Sequence, residues 1–120
     1  MKGYSAMSDF EINKAVADIA MNGTWHLEPS HPNNTTGGWL YGSNGIQTYP
    51  MPDYCNNPAD AWHIIVENKI WLRELFGKWQ SRGFPTNNNP LSEVMWQDDN
   101  PLRSCMIVFL MMKDRESSHA

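Results

Sequence analysis

The chain has 120 residues, of which 41% are hydrophobic, and its 9 Lys and Arg against 13 Asp and Glu leave a formal net charge of −4. That length makes one domain, residues 1–120, able to bury a core without disulfide or metal support, and that hydrophobic content excludes global disorder. The acidic balance argues against non-specific binding to nucleic acid or anionic membrane, which rests on Lys and Arg neutralising phosphates.

Met1 to Met7 read as a lead-in. Ser8-Asp9-Phe10-Glu11 is a capping box, with Ser at the N-cap and Glu three residues on. It predicts a helix from about Asp9 to Met21 with Ile12, Ala15, Val16, Ile19 and Ala20 on its apolar stripe. Asn22-Gly23 would end that helix. Thr24 to Glu28 suggest a short strand, and Pro29 to Gly38 a loop rich in Pro, Asn, Thr and Gly. Trp39 to Tyr41 and Ile46 to Tyr49 suggest two short strands joined by Gly42-Ser43-Asn44-Gly45, with Pro50 and Pro52 stopping the second.

Asn57-Pro58 predicts a second helix, about Pro58 to Asn68, since Asn caps well and Pro is tolerated at the first helical position. Ala61, Trp62, Ile65 and Val66 are expected on its inward face. Lys69 to Leu72 fit a strand or a continued helix; the strand is the preferred reading, paired through Arg73 to Gly77 with Lys78 to Arg82, while Leu75, Phe76 and Trp79 also fit a helix. Gly83 to Asn100 reads as a long connection. Asn100-Pro101 repeats the helix start, and the apolar run Met106 to Met112 then demands burial on nearly every side. Burying Met106, Ile107, Phe109 and Leu110 would contribute about 1.5–3 kcal/mol each before conformational entropy is subtracted. Asp114 to Ala120 are expected to fray.

The fold these elements predict is α+β: three helices packed with a small antiparallel sheet, the apolar C-terminal helix at the centre. Most of the six tryptophans, Trp25, Trp39, Trp62, Trp71, Trp79 and Trp96, are expected to fill the core. Cys55 and Cys105 make no disulfide framework, which suits a reducing cytosol. No secretory signal is visible. The seven-residue apolar run is far short of the roughly 20 needed to span a bilayer. A soluble, cytoplasmic protein without membrane contact is the expectation. Met111 and Met112 could close either the core or a homodimer interface.

Catalytic signatures are weak. His26, His31 and His63 with Cys55 lack any zinc-ligand spacing. Cys55 with His63 has no third orienting residue. Asp60 and Glu67 share a helical face and could do acid–base work, although a solvated acidic face is the commoner meaning. No phosphate-cradling glycine loop is present. Lys69, Arg73, Lys78 and Arg82 lie among Trp71, Phe76 and Trp79, a pattern that can grip single strands, diluted here by Glu67 and Glu74. No cofactor and no metal are expected.

Three blocks carry a family resemblance. Ser8 to Asn13, Asn57 to Asn68 and Asn100 to Met112 resemble, in order, the blocks of the NinX-like family of small accessory proteins in lambdoid phages and prophages. The resemblance implies a phage or prophage origin and a location in the bacterial host cytoplasm. It implies no activity, so no catalytic residue is carried over.

The leading expectation is therefore a non-enzymatic phage accessory protein that binds a host or phage protein, as an inhibitor of a bacterial defence system or of a host factor. A nucleic-acid-binding helper in replication or recombination is the alternative, and a small hydrolase or metal enzyme a weaker one. The residues proposed for partner binding are Asp60, His63, Glu67, Trp71, Arg73, Trp79, Trp96 and Arg103.

Overall fold

A computed structural model of the chain describes residues 3–21, 25–42, 49–85 and 93–118. The order of elements is a 3-10 turn (Tyr4–Ala6), α1 (Asp9–Ala20), β1 (Trp25–Leu27), β2 (Leu40–Gly42), β3 (Tyr49–Pro50), α2 (Pro58–Glu67), β4 (Trp71–Leu75), β5 (Lys78–Gly83), β6 (Val94–Asp98) and α3 (Pro101–Ser118). The fold is α+β, as its sequence pattern implies, but the strands form two three-stranded antiparallel sheets, β1-β2-β3 and β4-β5-β6.

Each helix starts where its capping chemistry dictates. Ser8 Oγ accepts the Glu11 amide and Glu11 Oε1 accepts the Ser8 amide, both at 3.1 Å. Asn57 Oδ1 accepts the Ala59 amide at 3.0 Å, and Asn100 Oδ1 accepts those of Leu102 and Arg103 at 2.9 and 3.2 Å. Free N–H groups of the first turns are satisfied in this way. The last helix does not stop near Lys113 but continues to Ser118, with Arg115 in its last turn, where a cation suits the helix dipole.

α3 is the centre. Ser104 to Leu110 are all buried without a break, because α1 and α2 cover some of its sides and the β4-β5-β6 sheet another. Small residues let the sheet come close. Ser81 Oγ donates to the Ser104 carbonyl at 2.7 Å, and Ser104 Oγ reaches the carbonyls of Trp79 and Trp96 at 3.0 and 3.2 Å. A Cβ built on Gly83 would lie 2.5 Å from Met112 Sδ and 3.0 Å from Val108 Cγ1. Met112 is buried and closes the core, while Met111 is half-buried.

Several inward faces differ from those expected. On α1 the buried residues are Ile12, Asn13, Val16 and Ala17, whereas Ile19 and Ala20 are exposed. Asn13 goes inside because its amide is fully used: Nδ2 donates to Asp53 Oδ1 and Oδ1 accepts the Cys55 amide, both at 2.9 Å. On α2 the buried residues are Ala61, Ile64 and Ile65, and Trp62 and Val66 face solvent. Both sets follow helical spacing, and contact with α3 selects the first. Trp39, Trp79 and Trp96 are only half-buried and Trp62 and Trp71 are exposed, so none of these five fills the centre of the core; the Trp25 side chain lies outside the described residues. The long run through α3 supplies enough aliphatic, methionine and cysteine volume without those five rings.

The expected connection from Gly83 to Asn100 contains a strand. β6 pairs with β5 along Gly83↔Val94 to Trp79↔Asp98. The turn expected over Arg73 to Gly77 shrinks to Phe76-Gly77, because Arg73, Glu74 and Leu75 all pair with β5. Asn22-Gly23 and the glycine-flanked turn after Gly42 lie outside the described residues, although β2 and β3 do pair antiparallel across that turn.

Candidate interaction surface

Two groups of polar and aromatic residues stand apart from the core. The first is a network of contacts within the chain at the helix starts. Arg103 Nε donates to Asp98 Oδ2 at 3.1 Å, Nη1 to Asp9 Oδ1 at 2.9 Å, and Nη2 to the carbonyls of Met7 and Tyr4 at 2.7 and 3.2 Å. Around it, Asn100 Nδ2 donates to the Cys55 carbonyl at 2.7 Å and to Asn56 Oδ1 at 3.1 Å. Asn56 Nδ2 in turn reaches Asp9 and Asp53, each at 3.2 Å. Asp60 Oδ2 accepts the Asp53 amide at 2.9 Å. The beginnings of all three helices are thus laced together, and Asp9, Asp60, Asn100 and Arg103, drawn from the three sequence blocks, take part in this network. Arg103, expected at a partner surface, is committed to partners within the chain, and Asp60, half-buried, has one oxygen on the Asp53 amide.

The second group lies on the face of the β4-β5-β6 sheet turned away from α3. Side chains alternate across a strand. The register therefore places Trp71, Arg82 and Met95 in one row, and Arg73, Gln80 and Gln97 in the next. The Trp71 ring lies under two guanidinium groups, Arg82 at 4.9 Å and Arg73 at 5.6 Å from its centroid. Such contacts are worth about 0.5–1 kcal/mol each at exposed sites. Arg73 Nε donates to Gln80 Oε1 and Gln80 Nε2 to Met95 Sδ, both at 3.0 Å. Arg82 also pairs with Glu93 at 3.4 Å and Lys78 with Asp99 at 2.5 Å. Asp99 holds the Lys78 ammonium above its usual range.

The hairpin tip is the most exposed apolar feature among the described residues. Leu75 pairs with Lys78, so Phe76 and Gly77 alone make the turn. Their φ angles are +52° and +83°. Two positive values are what a type I′ hairpin turn requires, and Asn-Gly is its preferred sequence. Phe76 occupies the first position at a steric cost and is 95% exposed. Glu74 Oε2 accepts the Gly77 amide at 2.7 Å and steadies the turn.

The remaining candidates scatter. His63 and Glu67 are exposed on α2, beside Trp62 at 65% exposure and Val66 at 52%. Trp79 and Trp96 are half-buried on the α3 side of the sheet, Trp96 edge-on to Tyr4 at 6.0 Å. Tyr4 also donates a hydrogen bond to Asp114, which fastens the N-terminal turn to α3. Cys55 and Cys105 are buried, and burial pushes each thiol up to about 12, with the Asp9 carboxylate adding to the effect at Cys55. His26, His31, Glu28 and Trp39 line an open cleft of about 190 Å³. Among the described residues no three His, Cys, Asp or Glu side chains are grouped to hold a metal ion, and no helix is long and apolar enough to cross a membrane.

Fold and surface together define a small α+β protein whose helix starts are tied together by polar contacts and whose β4–β5 hairpin tip exposes one aromatic ring, Phe76. The chain belongs to the phage family described as Bacteriophage P22, NinX, whose model matches residues 3–113. A crystal structure of a phage protein from Bacillus cereus ATCC 14579 has a similar fold, with a TM-score of 0.68 over 95% of this chain and 93% of that one. The two are 18% identical, a likeness of fold alone. No curated protein matches the chain.

Proposed function

We propose that this protein is a phage accessory protein that works by binding another protein, of the host or of the phage, through the tip of the β4–β5 hairpin. Phe76 carries the reading. A large ring held in an unfavourable backbone conformation and exposed to water stabilises nothing within the chain, and such strain commonly marks a contact site. Aromatic anchors of this kind fill pockets at protein interfaces. The target class favoured is a bacterial defence component or a host factor, and the mode is non-enzymatic.

The basic residues of the same hairpin give a nucleic-acid reading less support. Lys78 and Arg82 are each paired with a carboxylate, and the Trp71 ring that a base would stack on is already covered by guanidinium groups. The test is affinity capture by the tagged chain from nuclease-treated bacterial lysate, with and without phage infection. A protein retained at near-stoichiometric yield after nuclease is the expected result. Retention only of nucleic-acid-dependent material, lost on nuclease treatment and with added salt, would refute it.

A further inference from the structure

We propose that a second copy of this chain docks along β4, joining two three-stranded sheets into one of six strands. This inference rests on the edge of the sheet and is independent of the role given to Phe76. β4 is an edge strand, and its first four residues, Trp71 to Glu74, are all exposed. Natural proteins blunt such edges. Of the other edges among the described residues, β1 has three residues, β3 has two and ends in Pro50, and β6 exposes only Met95 and Gln97, in alternation with buried or half-buried neighbours. β4 instead offers Trp71 and Leu72, 39% and 36% exposed.

The charge pattern selects both the occupant and its register. Two copies of β4 related by a two-fold axis normal to the sheet run antiparallel, and side chains facing one another must come from the same face. Centring the pair on Arg73 sets two guanidinium groups opposite each other. Centring on Glu74 opposes two carboxylates, and centring on Trp71 opposes Lys69 to Arg73. Like charges directly opposite destabilise a sheet. Centring on Leu72 opposes no like charges. It brings leucine to leucine at the axis and sets Trp71 of each copy opposite Arg73 of the other, and Ile70 opposite Glu74, so that no charge meets its like. The i, i+2 spacing of Trp71 and Arg73 is therefore self-complementary. Pairing through a five-residue edge buries little area, so the dimer should be reversible and concentration-dependent.

Light scattering and sedimentation of the full chain over a wide concentration range should show mass rising from 13.8 kDa toward twice that value. Leu72→Arg, which sets like charges on the axis, should abolish the rise while leaving the thermal melt of the monomer in place. Leu72→Cys should form a disulfide-linked dimer on mild oxidation, because directly opposed Cα atoms lie about 5.5 Å apart, within disulfide reach. Arg73→Cys should not, since its counterpart would be displaced by two residues and lie roughly 8 Å away. Cys55 and Cys105 are buried, so the parent chain gives no background. A chain that stays monomeric at every concentration, a rise that survives Leu72→Arg, or cross-linking of both cysteine variants or of neither would overturn the proposal.

Discussion

Replacing Phe76 by Asn separates the part of the hairpin tip that serves folding from the part that does not. The left-handed conformation costs an ordinary L-residue roughly 1–2 kcal/mol, and Asn adopts it with less penalty. At 95% exposure the ring has almost no burial to lose. Asn-Gly is also the preferred pair for a two-residue turn of this type. The expected change is a gain of about 1 kcal/mol, or about 3–6 °C in midpoint for a domain of this size. Thermal and urea unfolding followed by circular dichroism would measure it. Phe76→Ala serves as the control: it removes the ring but keeps the backbone cost, so its stability should stay within about 0.5 kcal/mol of the parent. A loss of about 1 kcal/mol or more in Phe76→Asn would mean that the ring is packed against the fold, and the argument from strain and exposure would fail.

Four further outcomes follow from the interior. Arg103→Met takes one donor from each of the Asp9 and Asp98 carboxylates and the Met7 and Tyr4 carbonyls, and should destabilise by about 2–4 kcal/mol in urea unfolding, with Arg103→Lys recovering only part. Gly83→Ala pushes a methyl group against Met112 and Val108, and should cost about 1 kcal/mol or more because the thioether can yield but the valine must shift too. Cys55, Cys105 and Tyr54 all have folded pKa values raised to about 12 by burial, from ordinary values of 9.0 for the thiols and 10.0 for the phenol, with Asp60 adding to the effect at Tyr54. Their contribution to stability is whole below pH 9 and is lost as pH rises toward about 12, so midpoints should fall across that window. In the same protein both thiols should resist alkylation at neutral pH until denaturant is added.

The helix starts were legible because they are local. Ser8 to Glu11, Asn57-Pro58 and Asn100-Pro101 satisfy their own first turns, and the apolar run after Asn100 announces a central helix whatever packs on it. Which stripe of α2 turns inward was not legible, since Ala61-Ile64-Ile65 and Trp62-Val66 fit one helix equally and only α3 decides between them. β6 was missed although Val94 and Trp96 turn inward and Met95 and Gln97 outward in strict alternation. Five residues of alternation are a weak signal, and its partner strand is non-local. The sequence predicts the hairpin with a turn over Arg73 to Gly77, wider than the Phe76-Gly77 turn of the structure, and that wider turn gives no sign of the Phe76 conformation. A Phe-Gly pair between two alternating strands was the available signal. Arg103 reads as a surface cation in the sequence because, Asp98 apart, the groups that hold it (Asp9 and the Tyr4 and Met7 carbonyls) come from the far end of the chain.

The most direct test of a protein-binding role at the hairpin tip is quantitative affinity capture with the parent chain and Phe76→Asn side by side, from the same nuclease-treated lysate. The account predicts a partner retained by the parent and reduced at least tenfold with the variant, although the variant is the more stable protein. Equal retention by both would contradict it.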